Sequence, residues 1–236
     1  MTQPLHIGIV ACSAEGAALC YRTICSEAPA LLGRHMHPEI SMHTHPLGEY
    51  MLAIERDDWE AVAALMLDSA RKLQLCGADF LIAPDNTIHR AFAQVAAASP
   101  LPWLHIAEEV AAAAREHSYH RLAITGTKYT MEGPVYPEVF ARHGIGFQIP
   151  SPLDRARIDQ IIFDELVNGI FRSDSLGVIS GVISRMKAEG CDAVVLGCTE
   201  LPLLIGNETS PLPVLDSTRL LARAALRKAI EGSTAS

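Results

Sequence analysis

Gly77-Ala78-Asp79-Phe80-Leu81-Ile82-Ala83-Pro84-Asp85-Asn86-Thr87 is answered later in the chain by Gly190-Cys191-Asp192-Ala193-Val194-Val195-Leu196-Gly197-Cys198-Thr199-Glu200. Each stretch opens on Gly, passes through a short apolar run and closes on reactive and hydroxyl-bearing residues. This is the pattern of a buried parallel strand that delivers its C-terminal end to a site. Gly190 follows Gly77 by 113 residues, and Cys198 follows Asp85 by the same 113. Asp85 and Cys198 therefore hold one place in two related halves, and a pseudo-twofold would point them at each other across a cleft. An acid and a thiol facing one substrate from opposite sides form a proton-transfer arrangement.

Around these strands the pattern alternates. Strands are expected at Leu5–Ala11, Glu39–His43, Asp79–Ala83 and Trp103–Ile106, with helices over 15–27, 57–76, 89–97 and 108–116. The first helix should face the core with Leu19, Tyr21, Ile24 and Cys25, and Gly77 should end the second as its left-handed cap. The second half begins again at Arg121–Thr125, followed by helices over 136–143, 154–168 and 175–189, a strand at 146–149 and the Cys198 strand. Ser217 reads as the N-cap of a last helix, 218–230, that returns to the first half after a crossing at Leu212–Leu215. The fold class is α/β, with two similar domains, each a parallel sheet covered by helices, and the active site in the cleft between them. The expected boundaries are 1–115 plus 213–236 for the first domain and 116–212 for the second.

Composition narrows the function. With 236 residues, 49% hydrophobic and 19% charged, the chain can bury a large core. A formal charge of −8 and the lack of any Lys/Arg run exclude a nucleic-acid surface. No apolar run approaches the ~20 residues of a membrane span, and no signal peptide is visible, so a soluble cytoplasmic protein is expected. The six cysteines show no C-x-x-C pairing and read as reduced thiols. His35, His37, His43 and His45 crowd one segment. An H-x-H step on an extended segment puts both rings on one face without a third ligand, so no metal is expected.

A buried cysteine is by default a small hydrophobe, but the position of Cys198 argues for catalysis. It follows a buried strand and Gly197, where backbone can approach a ligand, and precedes a helix at 201–205 whose N-terminus would favour the thiolate. Asp85 sits in Pro-Asp-Asn-Thr turn chemistry, and its register with Cys198 adds a catalytic reading. Asn86, Thr87 and Thr199 are short donors at the same strand ends, where open parallel sheets bind ligands.

Val194-Val195-Leu196-Gly197-Cys198-Thr199-Glu200-Leu201-Pro202-Leu203-Leu204 resembles the second signature of the aspartate/glutamate racemases, which act without pyridoxal phosphate. Ala83-Pro84-Asp85-Asn86-Thr87-Ile88-His89 resembles the first. Gly126-Thr127 with Thr130-Met131, the run Ile162–Leu166 and Asp216-Ser217-Thr218 match further stretches. The resemblance implies two similar α/β domains, often in a homodimer, with a substrate carboxylate held between them while two cysteines exchange the α-proton. It implies no cofactor, a small-molecule amino acid or related carboxylate as partner, Asp85 and Cys198 as the catalytic pair, and Asn86, Thr87, Thr127, Thr199 and Glu200 as substrate contacts.

The chain also departs from that pattern. The family commonly carries Cys-Asn-Thr in the first signature, where this chain has Asp85-Asn86-Thr87. A carboxyl of reference pKa near 3.9 replaces a thiol near 8.5, so the two faces are chemically unequal. The first loop, Val10-Ala11-Cys12-Ser13-Ala14-Glu15-Gly16, differs as well, and no Lys or Arg occurs from Ile158 to Phe171, where some relatives supply a cation. The leading reading is a cofactor-independent amino-acid racemase or epimerase. Two alternatives stand beside it: a single-cysteine decarboxylase of the arylmalonate type, and a catalytically silent binding homologue.

Overall fold

Both matched stretches fold as a helix end, a left-handed glycine and a buried strand. The computed structural model describes residues 3–232, which divide into two compact units: residues 3–106 together with 218–232, and Ala107–Ser217. The first unit runs β1 (Ile7–Ala11), α1 (Ala14–Glu27), α2 (Pro29–Leu32), β2 (Ile40–Thr44), α3 (Leu47–Glu55), α4 (Trp59–Leu75), β3 (Phe80–Ile82), a 3₁₀ turn (Thr87–Ala91) and α5 (Phe92–Ala98). Its strands form a parallel sheet in the order β2-β1-β3, with Trp103 bridged to Leu81. β1 and β3 are buried at every residue, which is why their sequences run apolar without alternation. Edge strand β2 does alternate: Ser41 and His43, and His45 just past its end, are half-buried while Met42 and Thr44 are exposed.

The second unit runs α6 (Ile106–Glu116), β4 (Arg121–Gly126), α7 (Lys128–Met131), α8 (Val135–His143), β5 (Gly146–Gln148), α9 (Pro152–Asp164), a 3₁₀ turn (Leu166–Asn168), α10 (Ser173–Ala188), β6 (Ala193–Gly197), α11 (Leu201–Leu204) and β7 (Val214–Asp216). Its parallel sheet has the order β5-β4-β6-β7. Ile158, Ile161 and Ile162 of α9 and Ile179, Val182, Ile183 and Met186 of α10 pack with Val194, Leu196 and Cys198 in one core. The last helix, α12 (Ser217–Gly232), places Leu221, Ala222, Ala225, Leu226 and Ala229 in the first unit's core with Ile7, Ile9, Phe80 and Ile82. It is held there by Leu5 N–H donating to the Ala229 carbonyl at 2.9 Å, and by the Arg223 fork on Glu27.

The repeat extends to individual hydrogen bonds. α4 ends at Leu75 and α10 at Ala188, again 113 residues apart. Gly77 (φ +87°) and Gly190 (φ +95°) follow in the left-handed region. Gly77 N–H donates to Gln74 O and Ala78 N–H to Leu73 O; Gly190 N–H donates to Lys187 O and Cys191 N–H to Met186 O. These are Schellman caps, and only glycine enters that conformation without a Cβ penalty. Next comes an aspartate clamp. Asp79 N–H donates to His6 O while its Oδ2 accepts from His6 N–H at 2.7 Å. Asp192 N–H donates to Arg121 O while its carboxylate accepts from His120 N–H at 2.6 Å and Arg121 N–H at 3.1 Å. Each clamp satisfies backbone donors at the point where a central ladder begins. Ile7 then pairs with Phe80, and Leu122 with Ala193.

Several expectations are corrected. Leu212–Leu215 does not return to the first half: Val214–Asp216 pairs with β6 as a strand of the second sheet, and α6 beyond Ile106 also belongs to the second unit. Trp103–Ile106 makes a single bridge, because the chain turns into α6 at Ile106. Ser217 opens α12 but its hydroxyl donates to the Leu196 carbonyl at 2.9 Å. α1 buries Ala17, Cys20 and Ile24 rather than Leu19, Tyr21 and Cys25, since small residues let it approach the strands while Tyr21 stays 41% exposed. Helices α2, α3 and α7 were not foreseen. None of the six cysteines is joined in a disulfide, and among the described residues no helix is long and apolar enough to cross a membrane.

Candidate active site

In the second unit the site is built where β4 and β6 end side by side. Gly126 pairs with Gly197. A Cβ on Gly126 would stand 2.8 Å from Gly197 O, and one on Gly197 2.8 Å from Thr130 Cγ2 and 2.9 Å from Thr125 O, so the close approach of the two chains demands glycine at both positions. Beyond Gly126, Thr127 is the half-buried N-cap residue of α7, with Oγ1 3.5 Å from Thr130 Oγ1. Beyond Gly197, Cys198 is 7% exposed and Glu200 6%. The Cys198 thiol donates to Glu200 Oε2 at 2.8 Å, and Thr199 Oγ1 donates to the same oxygen at 2.7 Å.

A buried carboxylate is tolerable only with such donors, and a thiol hydrogen-bonded to one can pass its proton to it directly. The partner of Cys198 is therefore a side chain. The expected helix N-terminus is only the four residues of α11, with Glu200 itself at the N-cap. Sequence reasoning placed Glu200 among substrate contacts and missed this link, although a carboxylate two residues from a strand-end thiol was the available signal. Tyr136, fully buried on α8, is hydrogen-bonded with Ser217; burial, and the nearby Asp216 charge, hold its phenol protonated well beyond the usual range. Cys191, at the other end of β6, is core, and burial pushes its thiol pKa up.

In the first unit the chain leaves β3 at Ile82 and reaches Asp85 three residues later. Its Oδ1 accepts from Thr87 N–H at 3.1 Å and Ile88 N–H at 3.4 Å, so it caps the 3₁₀ turn while remaining half-exposed. Asn86 is buried and Thr87 half-buried in the same turn. His89 fixes this end: its buried ring donates from Nε2 to the Ala83 carbonyl at 3.0 Å and stacks on Phe92. Burial, then the neighbouring His105, holds the His89 pKa well below the ordinary value. Two residues were missed. Tyr50 of α3 is fully buried, and burial, then the charges of Cys12 and Asp85, oppose its ionisation. Cys12, buried at the end of β1, shares that neighbourhood. The signal for α3 was apolar spacing at Leu47, Tyr50 and Ile54 after Pro46.

Asp85, Asn86 and Thr87 thus share one strand end, and Thr127, Cys198, Thr199 and Glu200 another, each at the C-terminal edge of a parallel sheet. The Asp/Glu/hydantoin racemase family model matches residues 7–225. A candidate Asp/Glu racemase from Yersinia pestis has a similar crystal structure, with 30% identity, TM-score 0.89 and coverage of 96% of this chain and 99% of that one. PH1733, an aspartate racemase homologue from Pyrococcus horikoshii OT3, shares the fold at 24% identity and TM-score 0.83, with 99% and 100% of the two chains covered. The broad specificity amino-acid racemase RacX of Bacillus subtilis is 23% identical over 190 residues, 79% of this chain and 80% of RacX. With the model spanning nearly the whole sequence, the chain belongs to the Asp/Glu/hydantoin racemase family.

Proposed function

We propose that this chain is an amino-acid racemase or epimerase that works without pyridoxal phosphate, with Cys198 and Asp85 acting on opposite faces of one α-carbon. The observation that carries the reading is the buried Cys198–Glu200–Thr199 group: a strand-end thiol that donates a hydrogen bond to a buried carboxylate oxygen. In one direction Cys198, having given its proton to Glu200, takes the α-proton from one face as a thiolate. The carbanion is held by the donors at Asn86, Thr87 and Thr199, and protonated Asp85 delivers to the other face. The C–H bond broken and the C–H bond formed leave the substrate inverted, with Asp85 as carboxylate, Cys198 as thiol and Glu200 still holding the proton it took, so that the proton count of the pair is conserved through the cycle. The reverse direction starts from that state. Thr127 joins the contacts to the substrate carboxylate.

The likeness to RacX supports an amino acid as substrate, and the exposed apolar side chains Leu31, Met36, Met42, Leu47 and Leu52 support a homodimer. We further propose that it acts in the cytoplasm. The test is proton NMR in D₂O with single enantiomers of a panel of amino acids. Loss of the α-proton signal with appearance of the opposite enantiomer is expected for at least one. No exchange across the panel, or release of CO₂ from substituted malonates instead, would overturn the reading.

A further inference from the structure

His43 of edge strand β2 and His45, the residue just past its end, are both half-buried while Thr44 between them is exposed, and α4 packs against this strand. The H-x-H step lacks a third ligand in sequence, and α4 supplies one: the ligand atoms of His43, His45 and Asp68 lie within 4.8 Å of one another. His45 Nε2 is 2.8 Å from Asp68 Oδ2. Behind each ring the other nitrogen meets an oxygen. His43 Nδ1 is 2.9 Å from the buried Ser69 Oγ, and His45 Nδ1 is 3.7 Å from Glu49 Oε2. A hydrogen-bonded outer partner such as Ser69 fixes the tautomer of His43 and aims its Nε2 at a metal, and such partners accompany many histidine ligands, whereas Glu49 stands beyond hydrogen-bond distance of His45 and acts on it by charge alone.

We propose that His43, His45 and Asp68 bind a divalent late first-row transition ion of the Zn²⁺ type, clasping β2 to α4. Two imidazoles and a carboxylate favour such an ion over Mg²⁺ or Ca²⁺, which take oxygen ligands. Three protein ligands leave a position for water, and His45 and Asp68 also line a hollow of about 420 Å³ beside Leu52, Ala53 and Leu65 through which an ion can enter. Lys72 Nζ now sits 2.6 Å from Asp68 Oδ2. Its side chain is 46% exposed on a flexible stem, so a bound ion displaces the ammonium and takes over its role.

Chelator-treated, tag-free full-length protein is titrated with Zn²⁺ by calorimetry and with Co²⁺ by visible absorption. One ion per chain is expected, with Co²⁺ d–d bands and no thiolate charge-transfer band. His45→Ala and Asp68→Asn should each weaken Zn²⁺ at least tenfold, in the range of lost metal-site partners. Cys76→Ser, at the exposed cysteine, should change nothing. Lys72→Met should tighten Zn²⁺ several-fold, a gain that misfolding cannot produce. Zn²⁺ should also raise the melting temperature of the parent and not of His45→Ala. Absence of saturable binding, retention of affinity within twofold in both ligand variants, or weaker binding in Lys72→Met would overturn the proposal and leave an ion-pair network of His45, Asp68 and Lys72.

Discussion

Up to Ile82 in the first unit and Val195 in the second, the chain builds one scaffold twice: a Schellman-capped helix, an aspartate clamp and a central buried strand. Two residues later the halves part. Pro84 stands where the second half has Gly197, and Asp85 where it has Cys198. Asp85 spends its Oδ1 on backbone N–H groups of the following turn, whereas Cys198 donates to the buried side chain of Glu200. Backbone polar groups must be paired in both halves, so the scaffold has little freedom. The strand ends carry no such obligation, and there the chemistry diverges.

The largest effect expected from this difference is on turnover. Cys198→Ala should remove α-proton exchange by roughly 10³-fold or more, about 4 kcal/mol of barrier, while Cys191→Ala leaves it nearly intact in folded protein. Asp85→Asn should keep the fold and stop inversion, with one enantiomer still exchanging its α-proton through Cys198. Asp85→Cys, which makes the strand ends alike, should sustain or raise racemisation. Inversion at the parent rate in Asp85→Asn would end the two-face mechanism.

Next in size is a steric asymmetry. Gly197→Ala puts a methyl 2.8 Å from Thr130 Cγ2 and 2.9 Å from a backbone oxygen, and should cost about 1–3 kcal/mol in urea unfolding together with a large loss of activity. Its first-half counterpart, Pro84→Ala, should be milder in both respects. Equal costs would mean that the second strand end is not built on a close backbone approach.

A third contrast is in pH. The folded state keeps His89 neutral well below its ordinary value, while the unfolded chain takes the proton near 6.5. Below about pH 6.5 the unfolded state therefore binds more protons. The stabilising contribution of neutral His89, full above that pH, is lost as pH falls, by at most about 1.4 kcal/mol per pH unit. His89→Gln keeps a donor for Ala83 O without titrating, and its unfolding free energy measured from pH 7.5 to 5.5 should fall less steeply than the parent's. An unchanged slope would show that His89 does not carry the acid sensitivity of the Asp85 end.

Smallest are the clamps. Asp79→Ala strips one backbone N–H of its carboxylate partner and Asp192→Ala strips two, and the cost should be about 1 kcal/mol for each N–H. Because the clamps sit in separate units, the double variant should show additive losses. Strong non-additivity would break the picture of two independent copies.

Much of this was legible in the residues. Gly77 and Gly190 announced the left-handed caps, because no other residue type enters that conformation freely, and the unbroken apolar runs announced central parallel strands. Helix α3 was harder to read, since its nine residues follow a His- and Pro-rich segment and bury only Tyr50, Ala53 and Ile54. β7 was misassigned because three residues have no period of their own, and only their pairing with β6, Val194 with Val214, Val195 with Leu215 and Leu196 with Asp216, gives them a sheet.

By itself the sequence determined what local chemistry controls: caps, buried strands, the doubled register, and which residues stand at strand ends. The tertiary structure decided who meets whom. Glu200 became the partner of Cys198, Tyr50 the neighbour of Cys12 and Asp85, and Asp68 the companion of His43 and His45. Backbone conformation and burial are written in near neighbours along the chain. A side-chain hydrogen bond or a ligand cluster, by contrast, depends on distances of a few ångströms between residues as far apart as His43 and Asp68, and packing alone sets those.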